Sequence, residues 1–203
     1  PNELSTYEDL ISERWSGRVL VRSSQNHYNQ TLMASVVAAH GEEKALEWAR
    51  GIVNNMAQPP RGNDRDQVKA IAAGTGDVAM VNTYYMGLLL NSPNHEERNI
   101  ARQMGIFFPN QNDRGTHINI SGAAITAHAP NRANAQKLIE FLLSPEAQSV
   151  FAEQNFEYPA NRNVAWPALL EEWGRFKADT IPLDQLGKHL QPAMIIFNQA
   201  GWN

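Results

Sequence analysis

Twice in this chain an apolar, strand-like run passes through a short polar turn into a helix whose first turn carries tyrosine. The stretches are "GRVLVRSSQNHYNQ" (17–30) and "DVAMVNTYYMG" (77–87). Helical segments fill the sequence between them, and strands that alternate with helices predict an α/β architecture with a largely parallel sheet. In such a sheet ligands bind beyond the carboxyl ends of strands, where the next helices present their N-termini. The two tyrosine-bearing turns are therefore the natural place to look for a site.

The pattern predicts a strand over 18–22, with Ser23 and Ser24 able to cap a helix over 26–40 that Gly41 stops. A second helix runs over 42–56, acidic at its start as the helix dipole favours. Asp64 and Gln67, three residues apart, resemble a capping pair for a short helix over 65–73. A strand over 77–81 and a helix over 83–90 follow, with Asn82 and Thr83 as cap-type residues. A polar helix is expected over 91–104, and strands over 105–110 and 116–126. Further helices are expected over 131–143, 145–154, 167–178 and 183–201, the second of these opened by Ser144-Pro145. No internal repeat or low-complexity segment is present.

The 203 residues carry 17 Lys and Arg against 21 Asp and Glu, a net charge of −4. That balance argues against nucleic acid, which needs clustered basic charge to neutralise phosphates. No apolar run approaches the roughly 20 residues that span a bilayer. Cysteine is absent, which excludes disulfides, thiolate catalysis, iron–sulfur clusters and cysteine zinc sites. The opening Pro1-Asn2-Glu3, without Met or a leader, reads as a processed, truncated or excised product.

Backbone amides and hydroxyls at a helix start make a seat for an anion, and both tyrosine turns offer one. If the two strands are near neighbours, Tyr28, Tyr84 and Tyr85 meet an anion pocket at one sheet edge. Phenols are protonated at neutral pH, but a hard trivalent cation displaces the proton, and phenolate oxygen suits ferric iron far better than zinc or copper. Three phenolates cancel three positive charges, and a synergistic anion can fill the remaining positions. The plainer readings are one core and one surface tyrosine at 84–85, and simple helix capping by Ser23 and Ser24. "HEE" (95–97) reads as a solvated helix face, and His27 as pointing away from any ligand of Tyr28. His40, His117, His128 and His189 are isolated. No GxSxG, P-loop or GxGxxG occurs.

Several stretches carry a family resemblance: "TYEDLISERWSGRVLVRSSQNHYNQ", "GNDRDQVKAIAAG", "GDVAMVNTYYMG", "FFPNQNDRGTHINISGAAIT", "LLSPEAQSVFAEQNFEYPAN" and "IFNQAGWN". In these, and over essentially its whole length, the chain resembles the bacterial periplasmic ferric-iron-binding proteins, the substrate-binding subunits of ferric ABC importers. The resemblance implies a two-lobed type II periplasmic-binding-protein fold, mostly its second lobe. Residues 1–114 would form the second-lobe core, 115–165 a return segment of the first lobe, and 166–203 C-terminal helices packing on the second. Tyr84 and Tyr85 match the family's tyrosine pair, and Tyr28 matches the third tyrosine of the three-tyrosine subgroup, which pairs Fe3+ with carbonate or bicarbonate. Ser23 and Asn82 match helix starts beside the ion and its anion, with Ser24 adjoining. Asn63, Asp64 and Arg65 match positions close by, although a sister subgroup has Asn at the place of Asp64. About a hundred first-lobe residues of the family pattern, with a signal peptide and the arginine expected to hold the anion, have no counterpart here.

The expectation is thus a periplasmic binding module that performs no covalent chemistry, takes ferric iron and hands it to ABC permease subunits. A chain without first-lobe strands is expected to self-associate or to retain a first-lobe fragment. Two other readings stay open: a binding protein for a small oxyanion or amine, and an α/β hydrolase or transferase.

Overall fold

The computed structural model describes residues 3–203, so Pro1 and Asn2, on which the processing expectation rests, lie outside it. Strands β1 (Val19–Leu20) and β2 (Val78–Ala79) pair in parallel, Val19 opposite Val78 and Leu20 opposite Ala79. On the other side of β1, Met56 forms a parallel bridge to Val19. Parallel neighbours need long crossovers, which the helices supply. Helices α1 (His27–His40) and α2 (Glu42–Asn55) lie between β1 and Met56, and α3 (Asp64–Ala72) lies between Met56 and β2. Val19 and Leu20 are fully buried, as a strand covered on both faces should be.

The helix starts differ from the sequence reading in a consistent way. Asn26 caps α1, its side chain accepting from the backbone N–H groups of Tyr28 and Asn29. Ser23 and Ser24 lie upstream of the cap and offer carbonyls instead, to the side chains of Asn29 and Gln30. At α3 the capping pair is Asn63 with Asp66. Asp64 cannot serve because both of its oxygens are engaged elsewhere, and Gln67 donates to the carbonyls of Arg61 and Asn63. Where several cap-type residues stand in a row, tertiary partners decide which one caps.

After β2 come α4 (Thr83–Leu90), α5 (His95–Ala101), α6 (Arg132–Leu142), α7 (Pro145–Gln154), α8 (Ala168–Trp173) and α9 (Leu183–Ala200). The main core lies where α9 crosses α1 and α2, with Met33, Ile52, Phe197 and Trp202 almost fully buried. A smaller core, Val68, Met86, Leu89 and Ala101, joins α3, α4 and α5. The sheet is thus flanked by two helical layers. Helices α5 and α8 are shorter than their sequence segments suggest.

The strands expected over 105–110 and 116–126 do not form. A strand needs a neighbour to pair with, and among the described residues Thr116 alone pairs, in an isolated bridge to Ala178. Beyond it, Ile118 and Ile120 are exposed, α6 buries none of its residues, and Phe141, Leu143 and Val150 stand open to solvent.

Three passages of chain, near residues 5–8, 110–116 and 177–179, meet at one polar junction. Arg114 donates to Asp179 Oδ2 at 2.6 Å and to Glu8 Oε1 at 3.2 Å. Asn110, in the left-handed region with φ 60°, donates to Glu8 Oε2 at 2.8 Å and accepts from the Tyr7 N–H. Gly115 has φ 95°, and a Cβ there would sit 2.7 Å from the Ala178 carbonyl. Burial alone would raise the Glu8 carboxyl, but hydrogen bonds from Asn110 and His40 and the Arg114 charge hold it down at about 2. A carboxyl depressed in the native state contributes stability above its ordinary value of 4.5, and that contribution is lost as pH falls towards 2. Stability from urea melts is expected to fall across this window. Glu8→Gln should lower stability at pH 7 and flatten the fall, and an equally steep fall in the variant would refute the assignment.

Candidate metal centre

Parallel pairing puts the carboxyl ends of β1 and β2 side by side, so the starts of α1 and α4 face one another. Tyr28 is the second residue of α1, and Tyr84 and Tyr85 are the second and third residues of α4. Helical side chains lean towards the N-terminus, which tilts all three rings back over the sheet edge. The Tyr28 and Tyr84 hydroxyls are 2.9 Å apart. Their rings meet edge to face, with centroids 6.5 Å apart. The rings of Tyr84 and Tyr85 lie 4.2 Å apart at 33°. The reading of one core and one surface tyrosine does not hold, since Tyr84 and Tyr85 are both half-buried on the same side. Of the five tyrosines, the other two lie elsewhere. Tyr7 sits under the Arg114 guanidinium, and Tyr158 packs against Phe108, Trp166 and Phe176.

Burial, with the hydroxyls of Tyr28 and Tyr85 alongside, pushes the Tyr84 phenol well above its usual value. In the hydrogen bond between the Tyr28 and Tyr84 hydroxyls either can donate. A trivalent ion would reverse the upward shift, because its field favours the phenolate that burial opposes.

Around the rings, Asp64 is 2% exposed and ties the two turns together. Its Oδ2 accepts from Arg22 Nη1 at 2.7 Å, and its Oδ1 from the backbone N–H of Asn82 at 3.2 Å. Both carboxylate oxygens are thus committed, and the group faces a guanidinium and an amide. Arg22 Nε is buried and has no hydrogen-bond partner among the described residues. The Asn82 side chain does not cap α4. Its Oδ1 accepts instead from Asn119 Nδ2 at 3.0 Å, and Asn119 Oδ1 accepts from the Thr31 hydroxyl at 2.7 Å. Arg65 is exposed beside the Asn63 cap, and Ser23 and Ser24 are half-buried in the turn. The His27 ring lies beside that of Tyr28, tilted by 49° with centroids 3.9 Å apart. Among the described residues no three His, Asp or Glu side chains gather to hold a metal. In "HEE", His95 and Glu96 are exposed, but Glu97 is half-buried and pairs with Lys69 and Ser92.

The sequence reading missed Arg22, Thr31 and Asn119. Arg22 looked like the polar end of a strand, and nothing local marks Asn119, which reaches α1 and α4 from a segment distant in sequence. It also missed Phe156, which has φ 60° and lies against Gly87 on α4. A Cβ on Gly87 would come within 2.2 Å of the Phe156 ring.

The rings of Tyr28, Tyr84 and Tyr85 are thus half-buried together beyond a parallel sheet edge. Residues 3–178 match the family model described as bacterial extracellular solute-binding protein, and the chain belongs to that family. It is 50% identical over 202 residues to iron uptake protein A1 of Synechocystis, covering 100% of this chain and 56% of that protein. To the major ferric iron-binding protein of Neisseria meningitidis it is 25% identical over 193 residues, covering 95% of this chain and 56% of the relative. Among solved structures, a Trichodesmium protein in complex with iron and citrate superposes with a TM-score of 0.97 at 46% identity. The match covers 100% of this chain and 64% of that one. Apo FutA2 from Synechocystis superposes with a TM-score of 0.95 at 42% identity, over 100% of this chain and 65% of that one. The fold is the type II solute-binding fold, and the chain spans a little over half the length of its curated relatives.

Gly87→Ala is expected to lower stability by about 1–3 kcal/mol through overpacking, read from urea melts. Phe156→Ala in the same chain should recover part of that loss, and no recovery would show that the Gly87 contact is not the cause.

Proposed function

We propose that this chain carries the ferric-iron site of a periplasmic binding protein that delivers Fe3+ to an ABC-type permease. The phenolates of Tyr28, Tyr84 and Tyr85 act as ligands. The observation that carries this reading is the 2.9 Å approach of the Tyr28 and Tyr84 hydroxyls, with the Tyr85 ring 4.2 Å from that of Tyr84. Three phenolates neutralise a ferric ion, and the ion's field offsets what burial costs the charged phenolates. The relatives' names and the iron and citrate of the Trichodesmium complex point the same way.

A carbonate or bicarbonate would complete the ion's shell. Its candidate holders are Ser23, Ser24, Asn82 and Arg65, with the Arg22 Nε, which has no hydrogen-bond partner among the described residues. Asp64, as a carboxylate, does not face an anion in this scheme and serves from behind. Residues 1–114 and 166–203 would form the second lobe, and 115–165 the return segment of the first. The exposed Ile118, Ile120, Phe141 and Val150 support that assignment, as the side turned to the remainder of the first lobe. A retained first-lobe fragment or a second copy would cover the same side.

The raised Tyr84 phenol favours a second reading, in which the hydroxyls donate hydrogen bonds to a small oxyanion or amine. Titration separates the two. With ferric nitrilotriacetate the chain is expected to develop a visible phenolate-to-iron charge-transfer band and to release about three protons per ion. Apparent affinity should rise with pH while the phenols are protonated, since each proton competes with the metal. Tyr84→Phe with Tyr85→Phe should abolish the band. An unchanged band in that double variant, or heat on titration with anions but none with ferric ion, would overturn the ferric assignment.

A further inference from the structure

We propose that Asp64 is a positioning residue that sets the spacing of the tyrosine cluster by holding the turns before α1 and α4 against each other. This deepens the ferric reading, and only the iron-loaded arm of its test rests on that reading. The carboxylate is 2% exposed at the first position of α3, an element that carries none of the three tyrosines. One oxygen takes the Arg22 guanidinium at 2.7 Å, and the other takes the backbone N–H of Asn82 at 3.2 Å. Arg22 stands four residues before the Asn26 cap of α1, and Asn82 is itself the cap position of α4.

The Arg22 end of the link is rigid. Its backbone carbonyl accepts from Asn29 Nδ2 at 2.8 Å and from Trp202 Nε1 at 2.9 Å, tying it to α1 and to the main core. At the other end the bond is to a main-chain amide, so it holds the start of α4 without a flexible side chain. A buried ion pair adds little net stability against an apolar pair of similar volume. What it supplies here is direction, because the guanidinium and the amide are both lost if the carboxylate moves. The carboxylate's hydrogen bonds go to Arg22 and Asn82 rather than to the rings, on which it acts through the two turns.

The test uses the chain labelled with 13C at the tyrosine ring carbon bearing oxygen. Two variants are compared with it. D64N keeps an acceptor for the Asn82 amide but removes the charge facing Arg22. R22M/D64L replaces both groups by apolar side chains and leaves no uncompensated buried charge, which protects the fold where D64N fails. In the iron-free protein, the Tyr28 and Tyr84 resonances are expected to move in the folded variant, while Tyr7 and Tyr158 stay in place. With ferric nitrilotriacetate, affinity is expected to fall about 10–100-fold, the usual cost of losing a group that orients a ligand, with a shifted charge-transfer maximum. Unmoved Tyr28 and Tyr84 resonances in a cooperatively melting variant, or an unchanged ferric affinity, overturn the proposal. Absence of the band in the unsubstituted chain overturns the ferric reading instead, and the iron-free resonances then decide the role of Asp64 alone.

Discussion

Parallel pairing of Val19–Leu20 with Val78–Ala79 governs the rest of this structure. Antiparallel strands would send the two following helices to opposite ends of the sheet. Parallel ones send both chains out at the same edge, so two helix starts separated by more than fifty residues of sequence become neighbours. The covered, fully apolar β1 and the helical crossovers on either side enforce that direction. The short distance between the Tyr28 and Tyr84 hydroxyls follows from it.

Around that edge the chain uses polar groups to fix positions. Asp64 links the two turns from one side, while Asn119 spans Thr31 and Asn82 from the other. Each connects segments that the sheet alone brings near but does not align. The Arg114 junction does comparable work farther off, gathering three passages of chain around one guanidinium. In each case a fork-shaped or two-sided group joins partners distant in sequence.

The alternation of strand and helix, the tyrosine turns and the lengths of the long helices were legible in the sequence, because period and punctuation carry them. Which residue caps a helix was not, since Ser23, Asn26, Asn63 and Asp64 are all competent and only tertiary partners choose among them. The strands read over 105–110 and 116–126 failed because β-branched content does not itself supply a neighbour. The convergence of Tyr84 and Tyr85 was open from sequence, where adjacent side chains at a strand-to-helix junction can turn either way. Thr31 and Asn119 left no signal, because an isolated polar residue looks alike whether it bridges two helices or meets solvent.

The protonated state of Tyr84 has a consequence for discrimination. On the proposed reading, an incoming ion must supply enough field to expel protons that burial holds tightly. An ion of higher charge supplies more of that field, so the place would favour high valence before size enters. Acidifying the surroundings would raise the same barrier and favour discharge of the cargo.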